Sequence, residues 1–178
     1  YNGFRRMKKV WIICIFATLS LNMLQGQTAD SVSTKNWTIS ADANMYLIPD
    51  NFIFLPVIRA DKNHLHLEAR YNYEDFNTFS AWAGYNFYGG KKVEYTLTPM
   101  LGGVIGNSNG IAAGLEIDLT FKKFNLWSES EYLYSLDDVD YNFMYNWTDV
   151  TYSPKEWWWF GISGQRTRLV ETDLEINR

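Results

Sequence analysis

Thiols are almost absent from this 178-residue chain. Its one cysteine, Cys14, lies inside an apolar run near the start, so nothing after it can form a disulfide, a thiolate metal site or a cysteine nucleophile. Histidine is scarce too, with His64 and His66 the only two. Charged residues make up 20%, and the basic ones are unevenly placed. Arg5, Arg6, Lys8 and Lys9 stand before residue 27 with no acid among them, which leaves twelve basic against twenty acidic residues from Gln27 onward, a balance of -8. A nucleic-acid partner needs a basic stripe to neutralise phosphates, so that class is set aside. No apolar run reaches the roughly 18 to 20 residues of a membrane-spanning helix. After residue 26 no window sustains a 3.6-residue period. What the chain has in quantity is rings: 8 Trp, 12 Tyr and 11 Phe exclude a disordered polymer.

The first methionine is Met7, so residues 1–6 read as translated from upstream of the start and are left out of the fold. From Met7 two lysines precede the apolar stretch Val10 to Leu24, the pattern of a secretory signal peptide over 7–26, with cleavage near Gly26. Cys14 is interior to that stretch, not at its end, which excludes a lipoprotein anchor. A short polar extension, 27–36, leads into the body of the chain, 37–178.

That body alternates with period two over segments of about ten residues. The pattern predicts ten antiparallel strands: 37–47, 51–59, 64–73, 78–88, 92–102, 110–121, 124–134, 141–152, 156–167 and 169–177. Tight basic turns at Asp61–Asn63, Gly89–Lys92, Lys122–Lys123 and Ser153–Lys155 interleave with acidic or Gly/Asn-rich ones at Pro49–Asn51, Glu74–Asn77, Gly103–Asn109 and Asp137–Asp140. Strands of this length suit a tilted bilayer crossing better than the usual soluble sheet.

One face of the alternation is apolar, with Leu65, Leu67, Ala69, Tyr71 and Tyr73 in one strand and Ile111, Ala113, Leu115, Ile117 and Leu119 in another. The other face gathers Glu68, Arg70, Glu94, Glu116, Asp118, Glu129, Glu131, Glu171, Asp173 and Glu175, which are expected to line a lumen. A charge facing lipid at mid-bilayer costs roughly 2 to 4 kcal/mol, so apolar-out and charged-in is the pattern of a transmembrane barrel. Rings crowd both strand ends, as in two interfacial girdles. The expected fold is an all-β, antiparallel, up-and-down transmembrane β-barrel. Three segments resist this parity: 51–59 is apolar on both faces, Asp149 shares a face with Tyr145 and Trp147, and Arg166 and Arg168 share one with Trp158, Phe160 and Ile162. A bulge at Gly161 or Gly164 would reconcile the last.

At LHLEARYNYED (65–75), FSAWAGYNF (79–87), TPMLGGVIG (98–106) and GQRTRLVETDLEINR (164–178), the chain resembles uncharacterised outer-membrane β-barrel proteins of the Bacteroidota type. The resemblance implies fold and location but no activity. It also implies one further hairpin after Arg178, ending on an aromatic residue, and twelve strands in the full-length protein. An open edge in lipid is not viable, which points the same way.

His64 and His66 are expected to face inward near the Asp61–Asn63 turn and to serve as polar lining, since only Glu68 is at hand as a further ligand. No metal, cofactor or catalytic residue is expected, and the protein is read as a non-enzyme. Arg70, Arg166 and Arg168 are the candidate partners for the lumen carboxylates. The leading expectation is a small outer-membrane channel for hydrophilic solutes with an acid-lined lumen, surrounded by outer-membrane lipid. The alternative is a barrel plugged by its own salt bridges, with a structural or partner-binding role. A lipid-modifying enzyme and a soluble periplasmic barrel rank below both. The basic turns are placed in the periplasm and the acidic turns outside.

Overall fold

The computed structural model describes residues 13–16, 37–48, 51–155, 157–169 and 175–177. The stretch 7–26, expected from sequence to be a signal, and Glu171 and Asp173 lie outside these, except that Ile13–Phe16 forms a short strand β1. The rest is one antiparallel meander: β2 (Thr38–Ile48), β3 (Asn51–Lys62), β4 (Leu65–Tyr71), β5 (Thr78–Tyr85), β6 (Phe87–Gly89), β7 (Glu94–Gly106), β8 (Gly110–Phe121), β9 (Phe124–Ser135), β10 (Phe143–Lys155), β11 (Trp158–Leu169) and β12 (Glu175–Asn177). Strands neighbour one another in chain order, with β1 on the far edge of β2 and β6 continuing the β5 ladder against β7. The all-β meander of ten strands is therefore present, its fourth strand split at Asn86. The sheet curls into a half-barrel, and β4 side chains reach those of β9 across the concave side.

Several boundaries differ from expectation. β4 stops at Tyr71 because Asn72 takes a left-handed φ of 58°, a conformation asparagine tolerates. That twist turns Tyr73 inward, off the outward row where alternation places it. Asn63, at φ 55°, likewise ends the ladder before His64. β7 runs on through Gly103 to Gly106, so the expected Gly103–Asn109 loop shrinks to 107–109. Ser153–Lys155 belongs to β10, where the register with β11 shifts between Tyr152 and Lys155 and accommodates Pro154, which has no N–H to give a ladder. No shift occurs at Gly161 or Gly164.

Register resolves the three segments that resist parity. In β3, Leu55, Val57 and Arg59 point inward and Phe52, Phe54 and Ile58 outward. In β10, Tyr145 and Trp147 sit opposite Glu131 and Glu129, so theirs is the inward row and Asp149 belongs there. In β11, Arg166 and Arg168 pair with Asn146 and Met144 on the outward row.

The interior is layered. Trp82, Met100, Val104, Ala112 and Leu133 form an apolar cluster toward the acidic turns, with Phe143 packed on it. Gly102 faces this cluster, and a Cβ there would come within 2.4 Å of the Trp82 ring, so only glycine lets the indole lie flat on the sheet. Beneath it lies a layer of charges.

Candidate functional site

The charge layer follows from period two. His66, Glu68 and Arg70 share the inward row of β4, Glu129 and Glu131 that of β9, Glu116 that of β8, and Arg59 and Asp61 that of β3. Curling brings these rows together. Arg70, 1% exposed, places Nη1 2.6 Å from Glu129 Oε1 and 3.4 Å from Glu131 Oε2, and Nη2 3.1 Å from Glu68 Oε2. Its guanidinium lies 4.3 Å from the Tyr73 ring centre and 4.7 Å from that of Trp82. Tyr73 donates its hydroxyl to Glu129 Oε2 at 2.6 Å and packs against Tyr145 and Trp147. One arginine thus ties β4 to β9, clamped by two rings.

Glu74, placed by sequence in an exposed acidic turn, dips into this layer. It accepts from Ser80 Oγ at 2.5 Å and from Trp82 Nε1 at 3.2 Å, and burial pushes its carboxyl above the usual range. The buried polar atoms there without a hydrogen bond include Arg70 Nε, Glu74 Oε2, Glu131 Oε1 and Glu129 Oε1, the last held by its ion pair with Arg70.

A second group lies toward the basic turns. Arg59 pairs with Asp42 and stands 3.3 Å from Glu68 Oε1 and 3.9 Å from Glu116 Oε1. His66 Nδ1 is 2.8 Å from Asp61 Oδ1, which also accepts from Asn86 Nδ2 at 2.7 Å, and Thr98 donates to Asn86 Oδ1 at 2.6 Å. His64 is not inward as the spacing suggests. As a turn residue past the end of the ladder it is exposed and stacks on Tyr85 and Tyr88, each at 4.9 Å.

Of the expected lining residues, Glu68, Arg70, Glu116, Glu129 and Glu131 are buried together. Asp118 is half-buried and accepts from Asn125 Nδ2 at 2.8 Å, while Glu94 is exposed at the start of β7. Glu175 is registered opposite Arg168, on the strand row of Met144 and not that of Glu131. Arg166 and Arg168 are exposed, on the outward row of β11 and not on the row of the buried carboxylates of β9. Sequence reasoning missed Arg59, Tyr73 and Glu74; only Arg59 carries a signal, as the single charge between Asn51 and Ala60.

Two cavities open beside the second group. One of about 380 Å³ is lined by Arg59, Asp61, His66, Asn86, Glu116 and Asp118 among others, and one of about 290 Å³ by Asp42, Arg59, Asp118, Trp127, Trp147 and Asp149 among others. Neither touches Arg70, Glu129 or Glu131. The arrangement can hold a rigid, charged interior at one level and admit water or small ligands at the other. No family model matches this chain, and neither a curated protein nor a solved structure does.

Proposed function

We propose that this chain is an outer-membrane β-barrel protein whose interior is closed by its own charges, serving as a structural or partner-binding barrel and not as an open pore. The observation that carries this reading is the Arg70 clamp: the side chains of Glu68, Arg70, Glu129 and Glu131 are all at 0% exposure while joining opposite walls. Small barrels are filled in this way by their own side chains. Outer-membrane residence draws its support from the exposed apolar rows of β2 to β8, from seven strands of eleven to thirteen residues, from the signal pattern at 7–26, and from the resemblance to Bacteroidota barrels. In this reading the basic turns face the periplasm and the acidic turns the outside.

Purified protein in planar lipid bilayers tests the closure: the account expects silence, and a steady conductance contradicts it. Removing one partner from a buried ion pair costs about 3 to 5 kcal/mol, so Arg70→Ala should lose most of its heat-resistant fold, with Arg70→Lys recovering part. A second reading, a narrow acid-lined channel for hydrophilic solutes, is favoured by the two cavities that share Arg59, Asp118 and Trp127. The same recording decides between them.

A further inference from the structure

We propose that His66, Glu68 and Glu116 form a binding site for a divalent transition cation, of the zinc or manganese class, in the interior beside the larger cavity.

The argument starts at the imidazole. A carboxylate only accepts, so the 2.8 Å contact with Asp61 Oδ1 places a proton on His66 Nδ1. In the neutral ring this leaves Nε2 as a bare lone pair. Nε2 faces Glu68 Oε2 at 3.4 Å, a contact that a second ring proton bridges and in which a metal ion can take that proton's place. Glu116 completes the set: one ligand atom from each of the three residues falls within 4.8 Å of the others, and all three residues are buried. Two donors held by one tetrahedral ion at bonds of ~2.1 Å are separated by ~3.4 Å, which is the His66 to Glu68 spacing already present. Only the Glu116 carboxylate has to close in, from within 4.8 Å of the other two.

Three further features point to a cation. Glu116 is 8% exposed and its Oε1 has no hydrogen bond, nor has Glu68 Oε1; both look instead toward Arg59, which keeps Asp42 as a separate partner. Among the described residues, the side chains of five glutamates, Glu68, Glu74, Glu116, Glu129 and Glu131, are faced by two guanidinium groups, those of Arg59 and Arg70, and by the His66 imidazole. An interior with that excess attracts positive charge. Finally, Asp61 holds the far nitrogen of the ring, as the outer carboxylate does in metal-bound histidines, and the cavity of about 380 Å³ gives an ion with its waters a way in and an open coordination position. One imidazole with two carboxylates selects zinc, manganese or iron over magnesium or calcium, which take oxygen alone.

The test uses the full chain folded in detergent and freed of metal, titrated with zinc chloride by calorimetry and with cobalt chloride by visible absorption. The proposal expects one ion per chain and a cobalt band of low coordination number. His66→Ala and Glu116→Gln should each abolish the band, and Asp61→Asn should weaken binding about 10- to 100-fold. Glu94→Gln, at the exposed start of β7, should bind as the parent does. Heat-modifiable migration is recorded for every variant, and Glu116→Gln, the near-isosteric change, serves if His66→Ala fails to fold. No saturable binding, or binding that survives both changes, overturns the proposal and leaves His66 as an imidazolium bridging Asp61 and Glu68.

Discussion

From β2 to β8 the outward rows carry Ile39, Phe54, Ile58, Leu101, Ile105, Ile111 and their apolar neighbours, and the only charge on them is Lys62 at the end of β3. From β9 to β11 the corresponding rows carry Ser128, Ser130, Asn146, Thr148, Arg166 and Arg168 in their middle and upper parts. The polar groups of β9 and β10 satisfy one another. Ser128 and Thr148 are 2.8 Å apart, Asn146 Nδ2 donates to Ser130 Oγ at 3.0 Å and to the Glu129 carbonyl at 2.9 Å, and Thr148 donates to Asn146 Oδ1 at 3.2 Å. A polar row whose donors and acceptors are matched costs far less in an apolar medium than the same groups unmatched. Two solutions for an outward face therefore coexist: uniform hydrocarbon, and a hydrogen-bonded polar ladder.

The contrast breaks most sharply with a charge on the apolar side. Leu115→Arg or Ile117→Arg should cost about 2 to 4 kcal/mol each and prevent assembly, whereas Ser130→Leu should assemble normally, as read by heat-modifiable migration. Equal tolerance of all three would erase the distinction between the two halves. A smaller effect sharpens the inner side of β7. Gly102→Ala drives a methyl into the Trp82 ring and should lose about 1 to 3 kcal/mol in urea unfolding, while Gly103→Ala, with nothing within 4 Å of the added carbon, should be near neutral. Matching losses at both positions would contradict the packing of Trp82.

The smallest effect comes from Glu74, outside the strands. Its carboxyl is raised from an ordinary 4.5 by burial, so protonation favours the fold: the contribution is complete at low pH and is lost as pH rises through the raised value. As pH rises above about 4.5, the stability of Glu74→Gln should therefore gain on that of the parent chain. A gap that stays constant or closes would place Glu74 in solvent.

The same contrast explains what alternation could reveal. In β4, β5 and β8 one row is apolar and the other polar, and the sequence divides them as the structure does, up to the burial of Glu68, Arg70 and Glu116. In β3 both rows are apolar, and contacts outside the strand, from Arg59 to its cross-strand neighbour Glu68 and to Glu116 of β8, fix which side is inside. In β10 and β11 polar residues occupy both rows, so parity has no contrast to read. Tyr73 and Glu74 escaped because a single left-handed residue, Asn72, inverts everything after it, and asparagine does not announce that conformation. The Arg70 clamp was half legible: by alternation the arginine, its carboxylates and Trp82 share the inward face, but Tyr73 does not.

The central claim is that the outward rows of β2 to β8 meet lipid while the inward rows meet one another. Single cysteines placed in turn from Ile111 to Phe121, in a chain whose only native thiol is Cys14, can carry a probe quenched by agents dissolved in the bilayer. The account predicts strong quenching at 111, 113, 115, 117 and 119 and weak quenching at 112, 114, 116 and 118, an alternation with period two. Quenching that does not alternate, or odd positions that react instead with a water-soluble reagent, would contradict it.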